Sequence, residues 1–107
     1  SGTAFNTSSD YRLKENIVYD WDAISKVKNL KSAQFNFKTN ADETIEGFIA
    51  HEAQSVVPYA VVGEKDGELM QGMDYGKLTP ILVKAIQEQQ EQIEALQSEI
   101  NTLKGGE

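Results

Sequence analysis

Three heptads at the end of the chain leave little choice about its last third. From about Asp74 to Leu103 the sequence is rich in Gln and Glu, has no glycine between Gly76 and Gly105, and repeats its apolar residues every 3.5 positions. Ile86, Ile93 and Ile100 share one heptad position, Leu82, Leu96 and Leu103 the other, and Gln89 fills the remaining slot. A stripe of that period exposes a seam along a helix that water does not satisfy, so the stretch predicts a coiled coil. The alternative is one amphipathic helix lying on the chain's own core; a strict 3.5 repeat over this length favours self-association. Ile at a with Leu at d leans towards two strands in the simple rule, and one buried Gln, like a buried Asn, is able to set register. Spacing alone therefore says oligomer, without saying how many strands.

The preceding residues change period repeatedly, which predicts a small α+β unit. Ser1 to Asp10 are Gly, Ser, Thr and Asn around Phe5 and read as a linker or extended arm. Between Trp21 and Leu30 the residues Ala23, Ile24, Val27 and Leu30 fall at helical spacing, with Asp20 or Asp22 as N-cap and Lys28 and Lys31 near the C-terminal dipole. Ala33, Phe35 and Phe37 alternate with polar residues as in a half-buried strand, and Asn40 to Thr44 read as a turn. Ile45 to Ala50 reads as a buried strand passing into a helix of about two turns from His51 to Val57, cut short because Pro58 disfavours helical geometry before it. Ala60-Val61-Val62 and Glu68-Leu69-Met70 flank Gly63 to Gly67, where Asp66-Gly67 suits a tight turn, so a β-hairpin is expected.

Composition narrows the chemistry. The 107 residues include no cysteine and one histidine, which removes thiol nucleophiles, thiolate metal sites and ordinary His-rich zinc sites; no metal or cofactor is expected. Seventeen acids against 10 bases, interleaved, give a net charge of −7 and argue against a nucleic-acid partner, which needs a concentrated Lys/Arg footprint. No apolar run approaches the roughly 18 residues of a membrane span, so no membrane is expected either.

The remaining nucleophiles are hydroxyls. A serine hydroxyl needs a base to take its proton, and with one histidine in the chain a lysine amine is the other choice. Ser9 and Lys14, in Ser9-Asp10-Tyr11-Arg12-Leu13-Lys14, are such a pair. An ordinary lysine amine is almost wholly protonated at neutral pH, so burial or a neighbouring cation such as Arg12 is expected to assist it. The spacing by itself is weak evidence, since any serine can have a surface lysine five residues on. His51 with Glu52 invites a catalytic or metal reading, although a lone His at a strand-to-helix junction is more often a hydrogen-bonded structural residue. Asp42 and Glu43 read as solvated turn residues. Tyr19 and Trp21, beside Asp20 and Asp22, read either as a binding surface or as a cap with a packed aromatic.

Ser9-Asp10-Tyr11-Arg12-Leu13-Lys14-Glu15-Asn16-Ile17 resembles the opening motif of the intramolecular chaperone auto-processing domain found at the C-terminus of bacteriophage tail spikes and tail fibres, endosialidases included. Two further blocks match in order. They are Gly47-Phe48-Ile49-Ala50-His51-Glu52 followed by Pro58, and the run from Asp74-Tyr75-Gly76-Lys77-Leu78-Thr79-Pro80 to Glu88. The resemblance covers nearly the whole chain.

That resemblance implies a self-cleaving serine peptidase acting once, in cis, with Ser9 as nucleophile and Lys14 as its base and the cut between Ser8 and Ser9. Asp10, Arg12, His51 and Glu52 are supporting candidates; the slot of His51 often holds Gln in the family, which argues against an essential histidine. Residues 1–8 are then the end of an upstream fibre, 9–73 an α+β head, and 74–104 the coiled-coil helix. The family implies a homotrimer, with Leu82, Ile86, Gln89, Ile93, Leu96, Ile100 and Leu103 at the interface. Its other partner is the upstream fibre or spike segment of the same polypeptide, which it helps to fold in register. The work is expected in the host cell cytoplasm during virion assembly, the domain being absent from the mature fibre. A permanent, non-cleaving trimeric cap or receptor-binding tip is the alternative, and the related auto-processing module of membrane-tethered transcription factors ranks last.

Overall fold

A computed structural model describes residues 8–106. The Phe5 end of the expected linker, residues 1–7, lies outside the described residues. In chain order the elements are a 3-10 turn (Tyr11–Leu13), α1 (Ile24–Asn29), β1 (Ala33–Phe35), β2 (Ile45–Gly47), α2 (Ala50–Gln54), a 3-10 turn (Pro58–Ala60), β3 (Val61–Val62), β4 (Gly72–Met73), a 3-10 turn (Tyr75–Leu78) and α3 (Thr79–Gly105). The expected mixed α+β class holds: short helices, two small antiparallel sheets and one long C-terminal helix.

Each element is shorter than its periodicity suggested. Helix α1 begins at Ile24, and its first amides are taken by side chains: the Ser25 N–H donates to Asp22 Oδ1 at 3.2 Å, and the Ser25 hydroxyl donates to the other oxygen of the same carboxylate. These bonds hold the Asp22 carboxyl below its ordinary range. The N-cap position itself falls on Ala23; of the two expected aspartates, Asp22, one residue before it, is the one that accepts from the first turn. Strand β1 stops at Phe35, and Phe37, expected to continue it, is exposed and meets Phe35 edge-on at 5.5 Å. Helix α2 ends at Gln54 rather than Val57; Val57 leaves the helical region, as its place before Pro58 requires.

The hairpin forms, but with a different second strand. Val61 pairs with Met73 and Val62 with Gly72, so the expected strand Glu68-Leu69-Met70 is loop instead. Two side chains set that register. The Gln71 amide donates to Gly63 O at 3.1 Å and to Gln54 Oε1 at 3.0 Å, while Gln54 donates to Gly63 O at 3.2 Å, closing the loop at its base. The Asp66-Gly67 turn closes only on itself, Gly67 N–H to Glu64 O at 3.0 Å, with Asp66 at φ 61°. Leu69 and Met70 consequently point outward, 81% and 95% exposed.

The core is small. Ala23, Ala53, Val57, Ala60, Val61, Leu78, Ile81 and Ala85 are buried, with Trp21, Ile24, Val27, Leu30, Phe48 and Met73 packed around them. Half of those buried residues are alanines, so little apolar area supports the head. The radius of gyration is 19.3 Å, against about 13 Å for a compact chain of this length. The excess comes from α3, which at 1.5 Å per residue is about 40 Å long and carries only its first turns against the head.

One joint is tight enough to test. At Gly47, an added Cβ would stand 2.5 Å from Tyr75 Oη and 3.1 Å from the Phe35 ring. The Tyr75 hydroxyl accepts from Phe48 N–H at 3.0 Å, and the two rings meet edge-on at 5.7 Å. Gly47→Ala is expected to cost about 1–3 kcal/mol by overpacking, lowering the thermal midpoint by several degrees. An unchanged midpoint would show that Tyr75 can step aside.

Candidate functional site

The motif at the start of the described chain folds back on itself. Five residues apart, Ser9 and Lys14 would stand about 16 Å from each other on a strand and point to opposite faces. The 3-10 turn over Tyr11–Leu13 removes that separation: Leu13 N–H donates to Asp10 O at 3.0 Å and Lys14 N–H to Tyr11 O at 3.1 Å. Asp10 starts the turn, its Oδ1 accepting from the Arg12 backbone N–H at 2.9 Å. The result places Lys14 Nζ 2.7 Å from Ser9 Oγ, within reach of a proton transfer.

Arg12 is committed elsewhere. Its Nε donates to Asp10 Oδ1 at 2.9 Å and its Nη2 to Oδ2 at 3.1 Å, a bidentate pair. The guanidinium holds the Asp10 carboxyl below the usual carboxylate range, and the carboxylate in turn raises the arginine. Arg12 is therefore a brace for the turn, with its charge balanced by Asp10, and not the bare cation expected to press on Lys14. Neither Ser9 nor Lys14 is buried among the described residues of the single chain.

His51 and Glu52 lie in α2, away from this turn in the chain. His51 is exposed and lines a shallow depression with Glu64, Lys65, Asp66, Leu69 and Met70. Among the described residues no hydrogen bond or ion pair joins His51 or Glu52 to Ser9 or Lys14, and no group of three or more acidic or histidine side chains is arranged to hold a metal ion. Asp42 and Glu43 are solvated, as expected.

The residues expected along a stalk share one exposed stripe of α3. Leu82, Ile86, Ile93, Leu96, Ile100 and Leu103 are between 45% and 77% exposed, and Gln89 lies exposed among them. The head packs on a different line of the same helix, Leu78, Ile81 and Ala85, continued by Glu88. Glu88 was not visible as special in the sequence, where it reads as one polar residue in a Gln/Glu-rich run. In the structure its Oε1 accepts from Ala23 N–H at 2.8 Å and Ile24 N–H at 3.0 Å, supplying an N-terminal cap for α1 from 64 and 65 residues away. Glu88→Ala is expected to cost about 1–2 kcal/mol, seen as a lower urea midpoint, with Glu88→Gln recovering part of the loss through its remaining oxygen. Equal midpoints for Glu88→Ala and the parent would show that water caps α1 as well.

No curated protein matches the chain. A family model described as chaperone of endosialidase, and classed among the peptidases, matches residues 9–62, half of the chain. The match starts on Ser9 and runs through the braced turn, α1, both strands of the first sheet and α2 to the end of β3. Sharing that span, motif and head together, the chain belongs to the chaperone-of-endosialidase family.

Proposed function

We propose that this domain trimerises through α3, holds three upstream fibre segments in register while they fold, and then releases itself by cutting between Ser8 and Ser9. The observation that carries the cleavage is the 2.7 Å approach of Lys14 Nζ to Ser9 Oγ on a turn braced by Asp10 and Arg12. The family assignment supports the chaperone role and the association with a fibre segment.

In the cleavage step, neutral Lys14 takes the Ser9 hydroxyl proton as Oγ attacks the carbonyl carbon of Ser8. The tetrahedral adduct collapses by breaking the Ser8–Ser9 C–N bond, and the proton on Lys14 passes to the departing Ser9 nitrogen. An ester between the Ser8 carbonyl and Ser9 Oγ remains. Water then adds to that ester and returns the Ser9 hydroxyl, leaving a carboxylate on Ser8 and a free amine on Ser9. One turnover suffices, and a correctly held scissile bond contributes an effective molarity on the order of 10⁵ M.

The trimer supports the chaperone role physically. Beyond Glu91 every described residue of α3 is exposed, and a helix of about 15 residues standing alone in water is marginal. Joining three chain ends raises the local concentration of three shafts and fixes their stagger, lowering the entropic cost of starting an intertwined β-structure. We place this work in the host cell cytoplasm during virion assembly, with the finished fibre left without the domain.

The test is intact mass under denaturing conditions on a chain carrying upstream fibre sequence. The parent is expected to split before Ser9 and Ser9→Ala to stay whole. A folded, trimeric parent that also stays whole would overturn the cleavage and leave a permanent trimeric cap as the better account.

A further inference from the structure

Residues 8–20 are the part of the described chain that its own fold does least to explain. All are exposed, and between Tyr11 and Tyr19 the segment presents Tyr11, Leu13, Ile17, Val18 and Tyr19 at 56–81% exposure. Five large exposed apolar side chains within nine residues, the first two on the turn braced by Asp10 and Arg12, mark a surface made to be covered. The path of the segment says by what.

Its root is fixed on one side of α3. Ala23 and Ile24 are held by Glu88, on the line of the helix that packs against the head. Moving back along the chain, Trp21 and Tyr19 line a groove of about 390 Å³ with Pro80, Val83, Lys84 and Gln87. At about 100° per residue, Lys84, Gln87 and Val83 lie successively further round α3 from Glu88, in the direction of Ile86 and Leu82. Tyr19 and Trp21 therefore lie on the side of the helix that runs from Glu88 towards the heptad stripe.

Heptad geometry identifies what waits there. With Ile86 at a and Leu82 at d, Val83 is an e position, 48% exposed, while Leu78 and Ala85 are g positions already buried by the chain's own head. In a parallel coiled coil the e flank of one helix faces the g flank of the next. The g flank of the next copy carries that copy's head. Lys84 lines the groove and Lys77 lies beside it, both in no ion pair among the described residues and so open to a carboxylate of a neighbouring head.

We propose that residues 11–20 form an inter-subunit arm, seated between their own α3 and the head of a second copy of this chain. The exposed Ser9–Lys14 turn then stands at the outer end of an arm seated against a neighbour. This rests on the oligomeric reading above and adds the docking of the arm to it.

The test uses the full chain with Ser9→Ala, which keeps the protein whole irrespective of cleavage, and reads amide hydrogen exchange at residues 15–20 alongside sedimentation. In the trimer these amides are expected to exchange at least tenfold more slowly than in Ser9→Ala/Ile93→Asp, whose stalk is broken. Adding Val83→Asp, outside the a and d positions, is expected to return them to fast exchange while the stalk still assembles. If Val83→Asp prevents assembly, the comparison with Ile93→Asp still decides. A trimer whose arm exchanges as fast as in the broken stalk overturns the proposal, as does an arm equally slow in both, which would place it on its own head. A Ser9→Ala chain that sediments as a monomer throughout fails at the earlier step, overturning the trimer and the arm together.

Discussion

Lys14→Arg is expected to remain uncut, as is Lys14→Ala, with the rate of appearance of the Ser9 N-terminus falling about 10²–10⁴-fold. The arginine variant is the informative one. It keeps a long hydrogen-bond donor at the position now 2.7 Å from Ser9 Oγ, and leaves the backbone and Asp10–Arg12 bonds of the turn in place. A guanidinium cannot give up its proton in a protein and so cannot receive one from serine. Denaturing mass spectrometry over time on a fibre-bearing chain reads the result. If Lys14→Arg cuts like the parent while Lys14→Ala does not, Lys14 only positions Ser9 and the base is elsewhere.

The second large effect concerns the stalk. Ile93 stands on α3 beyond the reach of the head, 58% exposed in the single chain, so Ile93→Asp should leave the head folded. In a trimer, each copy would lose about 2–3 kcal/mol of apolar burial and also bring a carboxylate out of water beside two others, at several kcal/mol per ion. Across three chains that exceeds roughly 10 kcal/mol, or seven orders of magnitude in the association constant. The variant is expected to sediment as a monomer at concentrations where the parent is a trimer, and to stop cutting although Ser9 and Lys14 are untouched. A monomeric Ile93→Asp that cuts at the parental rate would show that the braced turn acts without a neighbour.

The small head gives the same expectation a stability side. A core whose buried members are half alanine cannot support much on its own, while Leu82, Ile86, Leu96 and Leu103 wait on the stalk. If the stalk assembles as proposed, that stripe is buried only between copies, so stability is expected to depend on protein concentration.

What the residues alone determined is what depends on local period and local chemistry. The heptads from Leu82 to Leu103 specify a long helix with one apolar stripe, whatever surrounds it. Pro58 ends α2, Asp22 begins α1, and the Ser9 to Lys14 motif encodes its own turn, because Asp10, Arg12 and the two backbone bonds that close it lie within six residues. The mixed fold class follows from the same changes of period.

Tertiary structure decided whatever required two distant segments to meet. The second hairpin strand moved from Glu68–Met70 to Gly72–Met73 because Gln54 and Gln71 close the loop on Gly63, and no local pattern announces a side-chain clasp between those positions. Glu88 became the cap of α1 only when α3 lay beside it, turning an ordinary polar residue of a Gln/Glu-rich run into the anchor of the arm. In both cases hydrogen-bonding side chains had many equivalent partners in the extended chain, and packing selected among them.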